Sequence, residues 1–360
     1  MLTETDFIPK SFTKVAKNGT VVWSAPSNIA LVKYWGKKPG QIPANPSISF
    51  TLSECKTITK LSFEKKEDDG SFTFDFLFEG QPKQSFRPKI STFFERVKKY
   101  VPFITQYHFT IDTQNTFPHS SGIASSASGM AALAVNLMSL ERLLNPDMTN
   151  EYFYQKASFL ARLGSGSACR SIKGSVVIWG QHEDTPGSSD LFGVHYTDVN
   201  EVFKTYNDTI LLVDKGEKQV SSTLGHGLME GHPYAESRFA QAHENLAAIK
   251  QALSTGDVDT FIKITESEAL TLHAMMMASQ PYFILMKPNT LAIINAIWQY
   301  RAKTGVPVCF TLDAGANVHV LYPENVSVKV LQFIKDELIC YCQNNQYICD
   351  KIGTGANQLI

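Results

Sequence analysis

No stretch of this 360-residue chain holds 18 apolar residues in a row, so no segment reads as a membrane-spanning helix. The opening residues, MLTETDFIPKSFTK, mix charges from the start and lack the apolar core of a secretory signal. Neither sign of charge is in excess: 33 Lys and Arg stand against 34 Asp and Glu, a formal net charge of −1. Such a balance gives no overall pull towards nucleic acid or an anionic membrane, so an anionic ligand must be met by a local cluster of positive groups. Cysteine is sparse and irregularly spaced. Cys55, Cys169, Cys309, Cys340, Cys342 and Cys349 lack zinc-type pairs and sit mostly in apolar segments, which fits reduced thiols in a cytoplasmic protein. The nine His form no HExxH or similar pattern, which argues against a structural metal. Repeats and low-complexity tracts are absent too. What is left is an ordinary globular composition, 43% hydrophobic and 19% charged, in a chain long enough for two domains or one large one.

Against that background one stretch stands out, Phe117–Gly129, FPHSSGIASSASG, followed by the apolar run MAALAVNLMSLERLL. Its small side chains let backbone N–H groups approach a ligand, and from about Ser126 the pattern reads as a buried helix. A Ser/Gly loop feeding a helix N-terminus is an anion site by construction, because unpaired N–H donors and the macrodipole both favour negative charge. It is neither a Walker A loop nor GxGxxG. A helix start rich in small residues for tight packing is the other reading.

Upstream, residues 20–35 read as a strand or two leading into Lys33-Tyr34-Trp35-Gly36-Lys37-Lys38, where three Lys interleave with aromatics. That segment is either a phosphate or carboxylate clamp or a strand end with solvated lysines. Asn45–Thr51 and Lys56–Phe63 alternate as strands, Ser71–Leu77 and Tyr107–Asp112 follow, and Arg87 opens a helix whose first turn carries Pro88. Beyond the loop helix comes another helix, Asn150–Arg162, and then a second Gly/Ser loop, GSGSACRSIKG, carrying Arg170. Arg170 offers a planar fork matched to carboxylate or phosphate, whereas the plain alternative is a flexible turn. Residues 181–193 are polar and turn-rich, and mark the expected boundary between domains 1–190 and 191–360.

The second half predicts a strand at Thr209–Val213, a polar loop over Lys215–His226, and helices over about 234–254, 257–277 and 289–303. Strands at about 306 and 318, a helix over Asn325–Cys342 and a closing strand complete an α+β sandwich with helices on one face. Asp313 ends a strand before a Gly turn. There it is either an Asx-turn residue or a carboxylate held at the mouth of a cleft.

The blocks APSNIALVKYWGK, NPSISFTL, FPHSSGIASSASG, GSGSACRS, VSSTLG and FTLDAGANV span the chain nearly end to end. Taken in that order they resemble the diphosphomevalonate decarboxylases, a family within the small-molecule (GHMP) kinase superfamily. The resemblance implies an N-terminal domain like ribosomal protein S5, a ferredoxin-like C-terminal domain, and an active site between them. It implies conversion of (R)-5-diphosphomevalonate with ATP to isopentenyl diphosphate, ADP, phosphate and CO2, with Mg²⁺ as the metal and ligands for it unassigned. Carried over by position, Asp313, Lys33 and Arg170 are the catalytic residues. Tyr34, Trp35, Gly36, Lys37, Arg87, Ser165, Gly166, Ser167, Ala168, Cys169, Arg170 and Thr223 hold the substrate. Pro118, Ser121, Gly122, Ala124, Ser125 and Ser126 hold the nucleotide. The partners implied are small molecules, with no nucleic acid or membrane, and a homodimer in the cytoplasm. A decarboxylase of the monophosphate, or a mevalonate-type kinase that stops at phosphorylation, are the alternatives.

Overall fold

The computed structural model describes residues 2–118, 123–215 and 222–360. In chain order the first half gives β1 (Asn18–Val32), a hairpin of β2 (Lys37–Lys38) and β3 (Ile42–Pro43), β4 (Ser47–Lys65), β5 (Thr73–Phe78) and β6 (Gln81–Pro82). Then follow α1 (Arg87–Val97), β7 (Tyr107–Asn115), α2 (Ser125–Leu144), α3 (Asn150–Gly164), β8 (Val176–Trp179) and β9 (Val194–His195). The second half gives α4 (Glu201–Lys204), β10 (Asn207–Leu211), α5 (Ser222–Gly227), α6 (Ala235–Thr255), α7 (Val258–Met277) and α8 (Pro288–Thr304). It ends with β11 (Cys309–Thr311), β12 (Val318–Tyr322), α9 (Ser327–Phe333), β13 (Tyr347–Lys351) and β14 (Asn357–Gln358).

The first sheet is organised around β1 and β4, two long antiparallel strands. Sequence predicts two separate strands where β4 runs as one. The interruption is a bulge: Leu52–Cys55 stand opposite Ser27 alone, because the pairing passes from Thr51 with Asn28 to Lys56 with Pro26. The N–H groups this frees, on Ser53, Glu54 and Cys55, all donate to the Asp350 carboxylate at 2.9, 2.8 and 2.7 Å. The second half of the chain thus completes the hydrogen bonding of the first. β14 does the same at the other edge, pairing with β1 at Trp23 and Ser24. α2 packs on β1 and β4 and is backed by α3, so it is buried on nearly every face, as its apolar run predicts.

The second sheet has the order β11–β12–β10–β13, all antiparallel, with α8 and α9 as the crossovers of a ferredoxin-like unit. Its helices end where local chemistry dictates. α6 stops at Gly256, in the left-handed region, and α7 starts at Asp257, whose carboxylate accepts from the Thr260 N–H at 3.0 Å. Neighbouring strand residues point to opposite faces. Leu211, Phe310 and Val320 join Ile293 and Ile297 of α8 and Val330 and Phe333 of α9. Ile210, Leu212, Cys309 and Leu321 join Leu246 and Ile249 of α6, Phe261 of α7, and Ile48 and Phe50 of β4. Both faces are therefore covered, not one as expected, because α6, α7 and the end of the first sheet supply a second apolar wall. That shared cluster fastens the two halves together and leaves a cleft beside it.

Candidate active site

The cleft encloses about 680 Å³. Its walls come from the end of β1, from α1, from the start of α2, from the segment after α3, and from α5, α7 and the turn after β11. The construction begins at Lys33, where the chain leaves the sheet and its backbone loses ladder partners. The Lys33 N–H donates to Glu268 at 2.8 Å, and its carbonyl accepts from Arg238 at 3.1 Å and from Asn45 at 2.9 Å. Arg238 and Glu268 form a two-pronged pair at 2.9 and 2.5 Å, both fully buried, with Asn245 adding a bond at 2.6 Å. Helices α6 and α7 thereby set the position of a residue on β1.

The Lys33 ammonium reaches Asp313 at 3.1 Å. Burial pushes the Lys33 pKa below the ordinary lysine range, and the Asp313 carboxylate opposes that fall. Asp313 keeps 30% exposure, so its carboxylate meets both the buried ammonium and the open cleft. His273 bonds the Asp313 backbone carbonyl at 3.2 Å, and its own pKa is held down to about 4, chiefly by burial. The neutral imidazole fixes the turn without adding charge.

Arg170 sits in the 3-10 turn Gly166–Ser171, buried. Its Nε donates to Asn28 at 3.3 Å and one Nη to the Ser47 hydroxyl at 2.5 Å, while Asn28 also bonds Ser171 at 2.8 Å. This is a held guanidinium, not a flexible turn. Gly166 has to be glycine, since a Cβ there would meet the Trp179 ring and the Tyr34 hydroxyl at 2.9 Å. Burial pushes the Tyr34 phenol up, so it remains a donor.

The structure brings Lys33, Tyr34, Trp35, Lys37, Ser165, Gly166, Ser167, Arg170, Ala124, Ser125, Ser126 and Asp313 to one cavity. Gly36, Ala168 and Cys169 lie behind that lining, and Pro118 is not part of it. Arg87 is not part of that lining either. Its guanidinium donates to the Phe74 carbonyl at 2.9 Å and stacks on the Phe74 ring at 4.5 Å, because the first turn of α1 faces β5. Arg96, further along α1, lines the cleft instead, and its charge helps lower the pKa of Lys37 after burial. Two like charges facing one cavity are what an anionic ligand relieves. Ser121 and Gly122 lie outside the described residues, as does the side chain of Thr223 in α5.

Ala124, the residue before α2, has φ 39° and ψ 38°, a left-handed conformation unusual for alanine. That turn places Ala124, Ser125 and Ser126 on the lining of the cleft, at the N-terminal end of α2. A second, apolar cavity adjoins it, lined by Phe76, Phe78, Ile90 and Ile111 and sharing Ser125 and Ser126 with the cleft. Nothing in the local pattern of the sequence marks this pocket, nor Arg96, Arg238 and Glu268, while Asn28 and Asn45 lie within two of the quoted blocks without a role assigned to them. Among the described residues no helix is long and apolar enough to cross a membrane, and no cluster of three His, Cys, Asp or Glu could hold a metal.

Two family models match the chain: a diphosphomevalonate decarboxylase-like N-terminal domain over residues 25–191, and a mevalonate 5-diphosphate decarboxylase C-terminal domain over 209–357. The diphosphomevalonate decarboxylase of Ganoderma lucidum is 31% identical over 338 residues, covering 86% of this chain and 80% of the relative. A solved structure described as MDDEF in complex with MVAPP, AMPPCP and magnesium aligns with a TM-score of 0.81 at 28% identity, over 95% of this chain and 99% of that one. The mevalonate diphosphate decarboxylase from Enterococcus faecalis, in a structure concerned with mevalonate diphosphate mediated ATP binding, aligns with a TM-score of 0.80 at 27% identity, over 95% and 99%.

Proposed function

This chain belongs to the diphosphomevalonate decarboxylase family, and from that premise we infer how its cleft carries out the reaction. The chain is an ATP-dependent decarboxylase that takes (R)-5-diphosphomevalonate to isopentenyl diphosphate, ADP, phosphate and CO2. The observation that carries the reading is the convergence of Lys33, Arg170 and Asp313 on one cavity with the start of α2.

A tertiary hydroxyl is a poor nucleophile and a poor leaving group. It must take the γ-phosphoryl of ATP and then depart as phosphate while the carboxylate loses CO2. In our reading Asp313 accepts or orients the hydroxyl proton, a role typically worth about 10²–10⁴ in rate. The buried Lys33 ammonium pairs with that carboxylate and stabilises charge on the transferred group. Arg170 grips the substrate carboxylate, and Tyr34, Lys37, Ser165 and Ser167 hold the diphosphate, with Thr223 proposed beside them. The nucleotide phosphates lie over Ala124, Ser125 and Ser126, with its base in the adjoining apolar cavity.

Magnesium fits this donor set. Mg²⁺ commonly takes only one or two protein oxygens and fills its shell with phosphate and water. The Ser125 and Ser126 hydroxyls supply such oxygens, and the described residues need offer no carboxylate cluster. When bound, the ion neutralises phosphate charge during transfer. A homodimer, a cytoplasmic location and the domain division at residue 190 are further proposals from the family resemblance.

Incubation with ATP and either mevalonate phosphate, with ADP and CO2 measured together, tests the reading. Equal release of both from diphosphomevalonate is expected. ADP without CO2 would make the protein a kinase, and preference for the monophosphate would move it to that substrate.

A further inference from the structure

His226, in α5, plays no part in the sequence motifs. Its ring lies against Tyr34, with centroids 4.2 Å apart, and Trp35, at 4.6 Å. Its Nδ1 accepts from the Gly36 N–H at 3.0 Å. A neutral imidazole whose Nδ1 accepts carries its proton on Nε2. No described residue takes that proton, and the side chain lines the cleft.

We propose that the His226 Nε2–H donates a hydrogen bond to the diphosphate of the substrate, a proposal that rests on the function inferred above. Three observations converge on it. The ring packs against two aromatic rings and is bonded at Nδ1, so its remaining polar atom is held in place before any ligand arrives. The segment it braces, Tyr34–Lys37, is the one assigned to the diphosphate. Burial, with help from Lys37 and Arg170, holds the imidazole pKa down to about 3, so the ring stays neutral. A neutral donor there binds a phosphate oxygen without crowding a third cation beside Lys37 and Arg170.

The alternative is that His226 only braces the turn, and isosteric variants separate the two roles. In His226→Asn the amide oxygen takes the place of Nδ1 and can still accept from Gly36, but nothing replaces the Nε2–H. In His226→Gln the amide nitrogen reaches the Nε2 position, and the Nδ1 acceptor is lost. KM for diphosphomevalonate is expected to be at least tenfold higher in His226→Asn than in His226→Gln, with KM for ATP unchanged in both. A ratio near one, or an inverted ratio, overturns the proposal and leaves a brace.

A second measurement needs no variant. In wild-type protein labelled with ¹⁵N-histidine, titration with inorganic diphosphate is expected to shift the His226 Nε2–H resonance downfield. An unmoved resonance overturns the proposal. If wild-type protein released no CO2 in the same assays, the inferred function would fall, while the diphosphate titration would still judge His226.

Discussion

The wall of the cleft that carries buried Lys33 and Arg170 and half-buried His226 is made of side chains each held by neighbouring groups. The wall at the start of α2 offers mainly backbone, with Ser126 exposed and Ala124 in a strained conformation. The first wall is finished without a ligand: Glu268, Arg238 and Asn45 hold the Lys33 backbone, and Asn28 and Ser47 hold Arg170. The second is the N-terminal end of a helix, where a bound phosphate would find backbone donors. The difference teaches where specificity resides. On the proposed function, preorganised side chains read a substrate bearing a carboxylate and a diphosphate, whereas backbone donors accept a polyphosphate whatever it is attached to.

The deepest cut into the first wall is Asp313→Asn, which is expected to lower turnover by about 10²–10⁴ while nucleotide binding survives. Steady-state kinetics beside nucleotide titration checks this, and near-normal turnover would remove Asp313 from the chemistry. Glu268→Gln attacks the frame instead. It leaves the buried Arg238 charge uncompensated, and the expected loss is about 3–5 kcal/mol of stability in urea unfolding, with decarboxylation reduced as Lys33 shifts. A stable, fully active variant would mean that Lys33 needs no such frame.

Arg170→Gln is expected to cost on the order of 10–10² in kcat/KM, because a charge-assisted bond made in the transition state is lost. Unchanged kinetics would return its turn to a packing role.

The smaller tests concern protons and hydroxyls. His226 and His273, held at about 3 and 4, bind fewer protons folded than unfolded once pH drops below the ordinary histidine value near 6.5. Their contribution is present in full above that value and is lost as pH falls towards the folded values. Each should remove up to about 1.4 kcal/mol per pH unit across that window. Unfolding midpoints from pH 7 to pH 5 would follow the decline, and His273→Gln should flatten it. Least of all, Ser126→Ala should raise KM for ATP about two- to tenfold, the worth of one neutral hydrogen bond, and leave the diphosphate substrate untouched. A larger effect on the substrate than on ATP would break the division between the walls.

Much of this was legible from residue order. Gly256 and Asp257 mark adjoining helix ends, Pro288 starts α8, and the Lys33, Arg170 and Asp313 blocks meet in one cavity as the resemblance implied. What stayed hidden is what acts from a distance. Glu268 and Arg238 look like ordinary charged positions on long helices, and only the packing of α6 and α7 against the end of β1 turns them into a clasp. Arg87 reads as a positive charge near an expected anion site, and in the structure its guanidinium bonds to and stacks on Phe74. Arg96, further along the same helix, is the arginine that lines the cleft. β4 was divided in two because Ser53-Glu54-Cys55 breaks its alternation, and the carboxylate that accommodates the break lies almost three hundred residues away in sequence, about the spacing of Asp350 from Cys55.

The Asp350 carboxylate and β14 have a consequence for biosynthesis. Until residues 347–358 emerge from the ribosome, β1 presents an unpaired edge at Trp23 and Ser24, and the bulge in β4 holds three unclaimed amide donors. An open edge is a template for pairing with another chain. The nascent first half therefore spends most of its synthesis with a sticky margin, which makes the crowded polysome the place where this protein is most exposed to aggregation and to chaperones.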